Sequence, residues 1–166
     1  MVVYLYADLF SPTMGSQIIV YLFGSMILLK MLEYLLFDLP AKMRVRSLRR
    51  NVKGADPYTL TRLFKIINKF SENESFDETY NFEGIYVLYN QTKKKYFVGS
   101  SENVMDSLML HLVGEGYSNI YDDVKSGDEF NVKFLPINDT QSDDIEDLWY
   151  TGVKAFKSNS KRRGYN

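Results

Sequence analysis

The chain has no cysteine and a single histidine, His111. The first absence excludes a disulfide framework, a thiolate zinc site and a cysteine nucleophile; the second excludes a histidine-rich metal centre. Any metal is therefore held by carboxylates, a donor set that suits Mg²⁺ or Mn²⁺. An excess of charge of one sign is lacking too, with 20 Lys and Arg against 21 Asp and Glu. Residues 1–16 carry Asp8 as their sole charge, so they have neither the basic n-region of a secretory signal nor the arginines of a transit peptide. They read as a leader lying at an interface. No internal repeat and no low-complexity tract is present, and 166 residues suffice for one compact domain with an appendage.

What the chain does have is a long apolar run, Ile18 to Phe37, interrupted by Lys30 and Glu33. Twenty helical residues at about 1.5 Å each span about 30 Å, the thickness of a bilayer's hydrocarbon core. Lys30 and Glu33 are three apart, on one helical face and toward one end, where they can pair or snorkel, and a partner helix can shelter them. Residues 17–38 are expected to form a transmembrane helix; a helix packed into a soluble core is the competing reading. Residues 39–55 follow as a basic segment, with Lys42, Arg44, Arg46, Arg49 and Arg50 suited to anionic lipid. By the positive-inside rule they put the remainder of the chain on the cytoplasmic or matrix side.

Residues 56–80 read as an amphipathic helix opened by Asp56-Pro57, with Leu60, Leu63, Phe64, Ile67 and Phe70 on one stripe, followed by an acidic linker. From Asn81 onward the pattern is that of a small α+β domain. Ile85, Val87 and Tyr89 alternate, a Lys93-Lys94-Lys95 turn follows, and Phe97-Val98 opens a second strand. Ser100 to Asn103 is a polar cap for a helix through Val104, Leu108 and Leu112 that ends near His111. Tyr117 to Lys125 predicts a short helix and Phe130, Val132 and Phe134 a third strand. A last helix is expected over Asp143 to Phe156, with Trp149 filling core space. The expected architecture is a three-stranded antiparallel sheet with flanking helices, and Ile85, Val87, Val98, Leu108, Phe134 and Trp149 in its core.

Gly84-Ile85-Tyr86, then Phe97-Val98-Gly99 fifteen positions on from Gly84, then Ser101, Asn103, His111, Glu146 and Gly164-Tyr165-Asn166 together resemble the GIY-YIG nuclease family over the last half of the chain. The glycine spacing is that of the family's phage members. The resemblance implies Tyr86 as general base or water-positioning group, His111 beside it, and Glu146 as the lone carboxylate for a divalent metal. Two positions depart from the pattern. Ser107 stands where active members carry the arginine that faces the phosphate with the histidine, and Phe97 lacks the hydroxyl of the second-motif tyrosine.

Charge bears on function as well. Residues 81–166 hold 10 basic and 13 acidic side chains, whereas residues 41–70 hold 9 basic and 1 acidic. A DNA-cleaving domain needs phosphate neutralisation, so nucleic acid is a poor fit as partner. The expectation is a membrane-anchored, catalytically inactive GIY-YIG-like domain that needs no cofactor. It would serve as an accessory or scaffolding subunit among other membrane proteins, a respiratory complex of the mitochondrial inner membrane being one consistent setting. The alternative is a divergent Mg²⁺- or Mn²⁺-dependent DNA endonuclease of phage or mobile-element type, using Tyr86, His111 and Glu146, with Arg162 or Arg163 replacing the lost arginine. A soluble nucleic-acid-binding protein using Arg44 to Arg50 ranks third.

Overall fold

The computed structural model describes residues 12–71, 82–139 and 144–166. Most of the leader, the acidic linker and the side chains of Ile67 and Phe70 lie outside the described residues. The chain divides into two compact units between Met43 and Arg44, and each has its own architecture.

The first unit is helical. Helix α1 spans Pro12–Glu33 and runs into a π-helical turn at Tyr34–Asp38. The helical stretch from Gln17 is long and apolar enough to cross a membrane: its 18-residue window has a mean hydropathy of 1.8 and is 0% buried. Large side chains such as Leu22, Phe23, Leu28 and Phe37 are exposed all round it. Lys30 Nζ and Glu33 Oε2 pair at 2.6 Å along one face, so each charge has a partner.

The second unit is α+β. Its first helical residues, 44–54, are the larger part of helix α2 (Leu39–Gly54), strand β1 is Tyr58–Thr59 and helix α3 is Leu60–Ser71. Strands β2 (Gly84–Asn90) and β3 (Lys95–Ser101) form the hairpin. Helices α4 (Val104–Val113) and α5 (Ser118–Lys125), strand β4 (Phe130–Pro136) and helix α6 (Ile145–Phe156) complete it. The sheet is antiparallel throughout, in the order β1-β4-β2-β3. Three of the four strands are the expected ones. The fourth, β1, arises where a helix start was expected: Tyr58 and Thr59 pair with Val132 and Asn131, and the Thr59 hydroxyl accepts from the Arg62 N–H at 3.3 Å, so α3 begins at Leu60 with Thr59 as its cap. The second unit runs from Arg44 to Asn166.

Strand alternation sends residues to two cores. Tyr86, Leu88, Phe97 and Val132 face α4, α5 and Leu63 of α3, while Ile85, Val87, Val98 and Leu135 face Leu148 and Val153 of α6 together with Leu48 and Val52 of α2. The sheet is a central layer with helices on both sides. Phe134 and Trp149 are only partly buried, against the expectation of full burial. Trp149 lies at the margin because its indole Nε1–H donates to the Val98 carbonyl at 2.8 Å, which ties the ring to the sheet edge.

Element ends follow local chemistry. The hairpin turn is Gln91–Lys94, with Lys94 at φ 56°, and Lys95 already belongs to β3. Helix α4 runs past His111 to Val113 and stops at Gly114, φ 93°, whose N–H returns to the Leu110 carbonyl. In α6 the Asp144 carboxylate accepts from the Glu146 N–H at 2.9 Å, so the helix starts at Ile145. Residues 163–166 run along the outer edge of β3. Tyr96 N–H donates to the Arg163 carbonyl, Tyr165 N–H donates to the Tyr96 carbonyl, and the Asn166 side-chain amide takes both the N–H and the C=O of Val98, each at 2.9 Å.

Candidate functional site around Tyr86

Tyr86 sits in the middle of β2, 1% exposed, with its ring over Gly99 of β3. Its hydroxyl lies 2.8 Å from His111 Nε2 and 3.2 Å from Ser107 Oγ. Ser107 and His111 are four apart on α4, so one helix turn brings both to the same phenol. The other imidazole nitrogen, Nδ1, accepts the backbone N–H of Tyr117 at 3.0 Å. A backbone N–H can only donate, so Nδ1 is unprotonated and the hydrogen resides on Nε2. His111 therefore donates to Tyr86, and the phenol hydrogen points toward Ser107. The chain of hydrogen bonds has a single direction, from Tyr117 through His111 and Tyr86 to Ser107.

Aromatic rings wall this chain. Phe97 meets His111 edge-on at 4.8 Å and Tyr117 at 5.0 Å. Two glycines make the cage feasible: a Cβ on Gly99 would come within 2.2 Å of the Tyr86 ring, and one on Gly116 within 2.1 Å of His111 Nδ1. Burial pushes the Tyr86 phenol up to about 12, with the Ser107 hydrogen bond pulling the other way, and burial also holds His111 below its ordinary value. Both groups are thus neutral near pH 7. Among the described residues no Lys or Arg hydrogen-bonds to Tyr86, Ser107 or His111.

The other residues singled out by sequence lie elsewhere. Glu146 is exposed in the first turn of α6, the helix packed against the opposite sheet face. Arg163 acts on Tyr96, which also belongs to that opposite face, and Arg162 is exposed. The structure joins Tyr86, Ser107 and His111 by hydrogen bonds, and among the described residues no hydrogen bond or ion pair links Glu146, Arg162 or Arg163 to them. No group of three or more His, Asp or Glu suited to a metal ion occurs among the described residues. The basic segment is also divided: Arg44 pairs with Asp147 at 3.2 Å, Arg49 donates to the Ala155 carbonyl at 2.7 Å, and Arg46 and Arg50 are at the surface.

A second polar cluster escaped the sequence. Asn90, 0% exposed, donates to Asp128 at 2.7 Å and to the Tyr165 hydroxyl at 2.8 Å, while its own Oδ1 accepts from Lys93 N–H. Tyr165 donates in turn to Asp123, which Lys93 Nζ also contacts. Burial favours the neutral form of Asp123, but the hydrogen bonds from Lys93 and Tyr165 outweigh it and hold the carboxyl below the usual range. All members are internally paired, which marks a structural clasp between the hairpin, α5 and residue 165.

No family model, curated protein or solved structure matches the chain.

Proposed function

We propose that the chain is a membrane-anchored protein whose second unit is a GIY-YIG-like domain without nuclease activity, acting as an accessory or scaffolding subunit among other membrane proteins. The observation that carries this reading is the occupation of Tyr86. Its hydroxyl accepts from His111 and faces Ser107 inside a core, and burial pushes the phenol up to about 12, still further from neutral pH. A general base works best with a pKa near the operating pH. The donor that would stabilise a phosphorane is replaced by Ser107, and losing one preorganised group of that kind costs about 10²–10³ in rate.

The anchor is supported by the apolar helix with its 0% buried window. Basic residues at 42, 44, 46, 49 and 50 follow it, which favours the cytoplasmic or matrix side for the second unit. Apolar helix faces that the chain does not cover suit lipid and the helices of partner subunits.

Two measurements test the proposal. Alkaline carbonate extraction should leave the full chain in the membrane pellet; release to the supernatant would remove the anchor. Purified full chain, incubated at low salt with duplex or single-stranded DNA and Mg²⁺ or Mn²⁺, should cut neither. Cleavage that Glu146→Ala abolishes would replace this reading with a divergent endonuclease.

A further inference from the structure

A cleft of about 430 Å³ opens on the sheet face opposite Tyr86, lined by Arg49, Val52 and Lys53 of α2, Val87, Tyr89 and Tyr96 of the hairpin, Asn131 and Lys133 of β4, and Phe156 of α6. This is within the range of small-ligand sites. Its chemistry is one-sided. Three cations line it and no carboxylate does. Arg49 spends one N–H on the Ala155 carbonyl and Lys133 one on the Lys53 carbonyl; neither acceptor neutralises the charge. Among the described residues Arg49, Lys53 and Lys133 have no acidic partner, and the hydroxyls of Tyr89 and Tyr96 have no hydrogen-bond partner. Burial raises the Tyr96 pKa, with the Arg49 and Arg163 charges opposing, so its hydroxyl is a neutral donor.

We infer that this cleft is a binding site for a phosphate-bearing anion, held by Arg49, Lys53 and Lys133 with hydroxyl donors from Tyr89 and Tyr96. Donors outnumber acceptors here, and a phosphate presents acceptor oxygens with two or more negative charges, so it satisfies donors and charge together. The cleft floor, Val52, Val87 and Phe156, is buried and apolar, which strengthens ion pairing above it. The remaining volume accommodates the group that carries the phosphate. That phosphate belongs either to a soluble phosphate ester or to a lipid headgroup.

The test uses the full chain in detergent, with unfolding temperature as readout. The soluble arm adds inorganic pyrophosphate; the lipid arm compares phosphatidylcholine micelles with and without phosphatidic acid. At least one arm should stabilise the protein, with the effect declining as salt rises. Lys53→Gln with Lys133→Gln should weaken that response about tenfold or more, Tyr96→Phe should weaken it several-fold, and Lys125→Gln with Lys154→Gln, an equal loss of charge outside the cleft, should leave it unchanged. Response to pyrophosphate with none to phosphatidic acid identifies a soluble ligand; the reverse identifies a headgroup. Absence of response in both arms, or an equal loss in the Lys125 and Lys154 control, overturns the inference.

Discussion

Tyr86 and Gly99 are partners across the β2–β3 pair, and the phenol ring occupies the space that any side chain on residue 99 would need: a Cβ there would lie 2.2 Å from Cζ and 2.4 Å from the hydroxyl oxygen. Gly99→Ala should therefore destabilise the second unit by about 1–3 kcal/mol, the usual cost of overpacking a full core. Combining it with Tyr86→Leu should cost less than the sum of the two changes, because the clash and its partner are removed together. Urea unfolding of the four proteins reads the coupling directly.

His111 gives a pH signature. Its folded pKa lies below the ordinary value of about 6.5 because of burial, so the native state binds fewer protons than the unfolded one between those two values. Stability must then be fully present above about pH 6.5 and decline as pH falls through that window. His111→Gln should abolish this slope. Unfolding midpoints measured from about pH 8 to 5 that rise on acidification in the wild type would contradict the assigned tautomer and burial.

Asp123 governs a lower window. Burial raises its pKa, yet Lys93 and Tyr165 together bring it below the usual value, so its contribution is present above the unfolded pKa of about 3.9 and is lost as pH falls through the folded one. Asn90→Ala should be costlier than any surface change, about 2–3 kcal/mol, since it strips Asp128 and Tyr165 of a partner inside the clasp. Chemical unfolding at neutral pH checks the magnitude, and Asp123→Asn should flatten the acid limb.

Trp149→Ala should cost about 2–3 kcal/mol, less than the roughly 3–5 kcal/mol of a wholly enclosed aromatic. Part of the ring is solvated, and the Val98 carbonyl that loses the indole N–H retains its bond from the Asn166 amide. Trp149→Phe, which keeps most of the ring and drops that donor, should recover the larger share. Unfolding free energies of the two variants separate the packing and hydrogen-bonding parts.

How far the sequence could be read depended on the range over which its information acts. The hairpin, α4 and β4 were legible because period-two and period-four patterns are local, and the glycines at 84 and 99 bracket them. The pairing of Ser107 with His111 was legible for the same reason: four residues make one turn. Strand β1 was not, since two residues carry no period and Tyr58-Thr59 becomes a strand only through Val132 and Asn131. The clasp was equally hidden, for Asn90, Asp123 and Tyr165 are separated by up to 75 positions and each alone reads as an ordinary polar residue. Glu146 was placed with Tyr86 by analogy, whereas α6 packs against the other sheet face.

The strip formed by residues 163–166 along β3 has a consequence for biosynthesis. Val98 and the Asn166 amide are 68 positions apart, so the outer edge of the hairpin stays uncovered until residue 166 has emerged from the ribosome. Translation proceeds at about 5–20 residues per second, while a hairpin forms in about 1–10 μs. The hairpin can thus be complete seconds before its edge is covered, leaving the nascent chain an interval in which Tyr96 and Val98 can pair with the wrong strand. A pause in translation between residues 101 and 166 lengthens that exposure, and a chaperone that shields strand edges at the ribosome would have its greatest effect on yield in that interval.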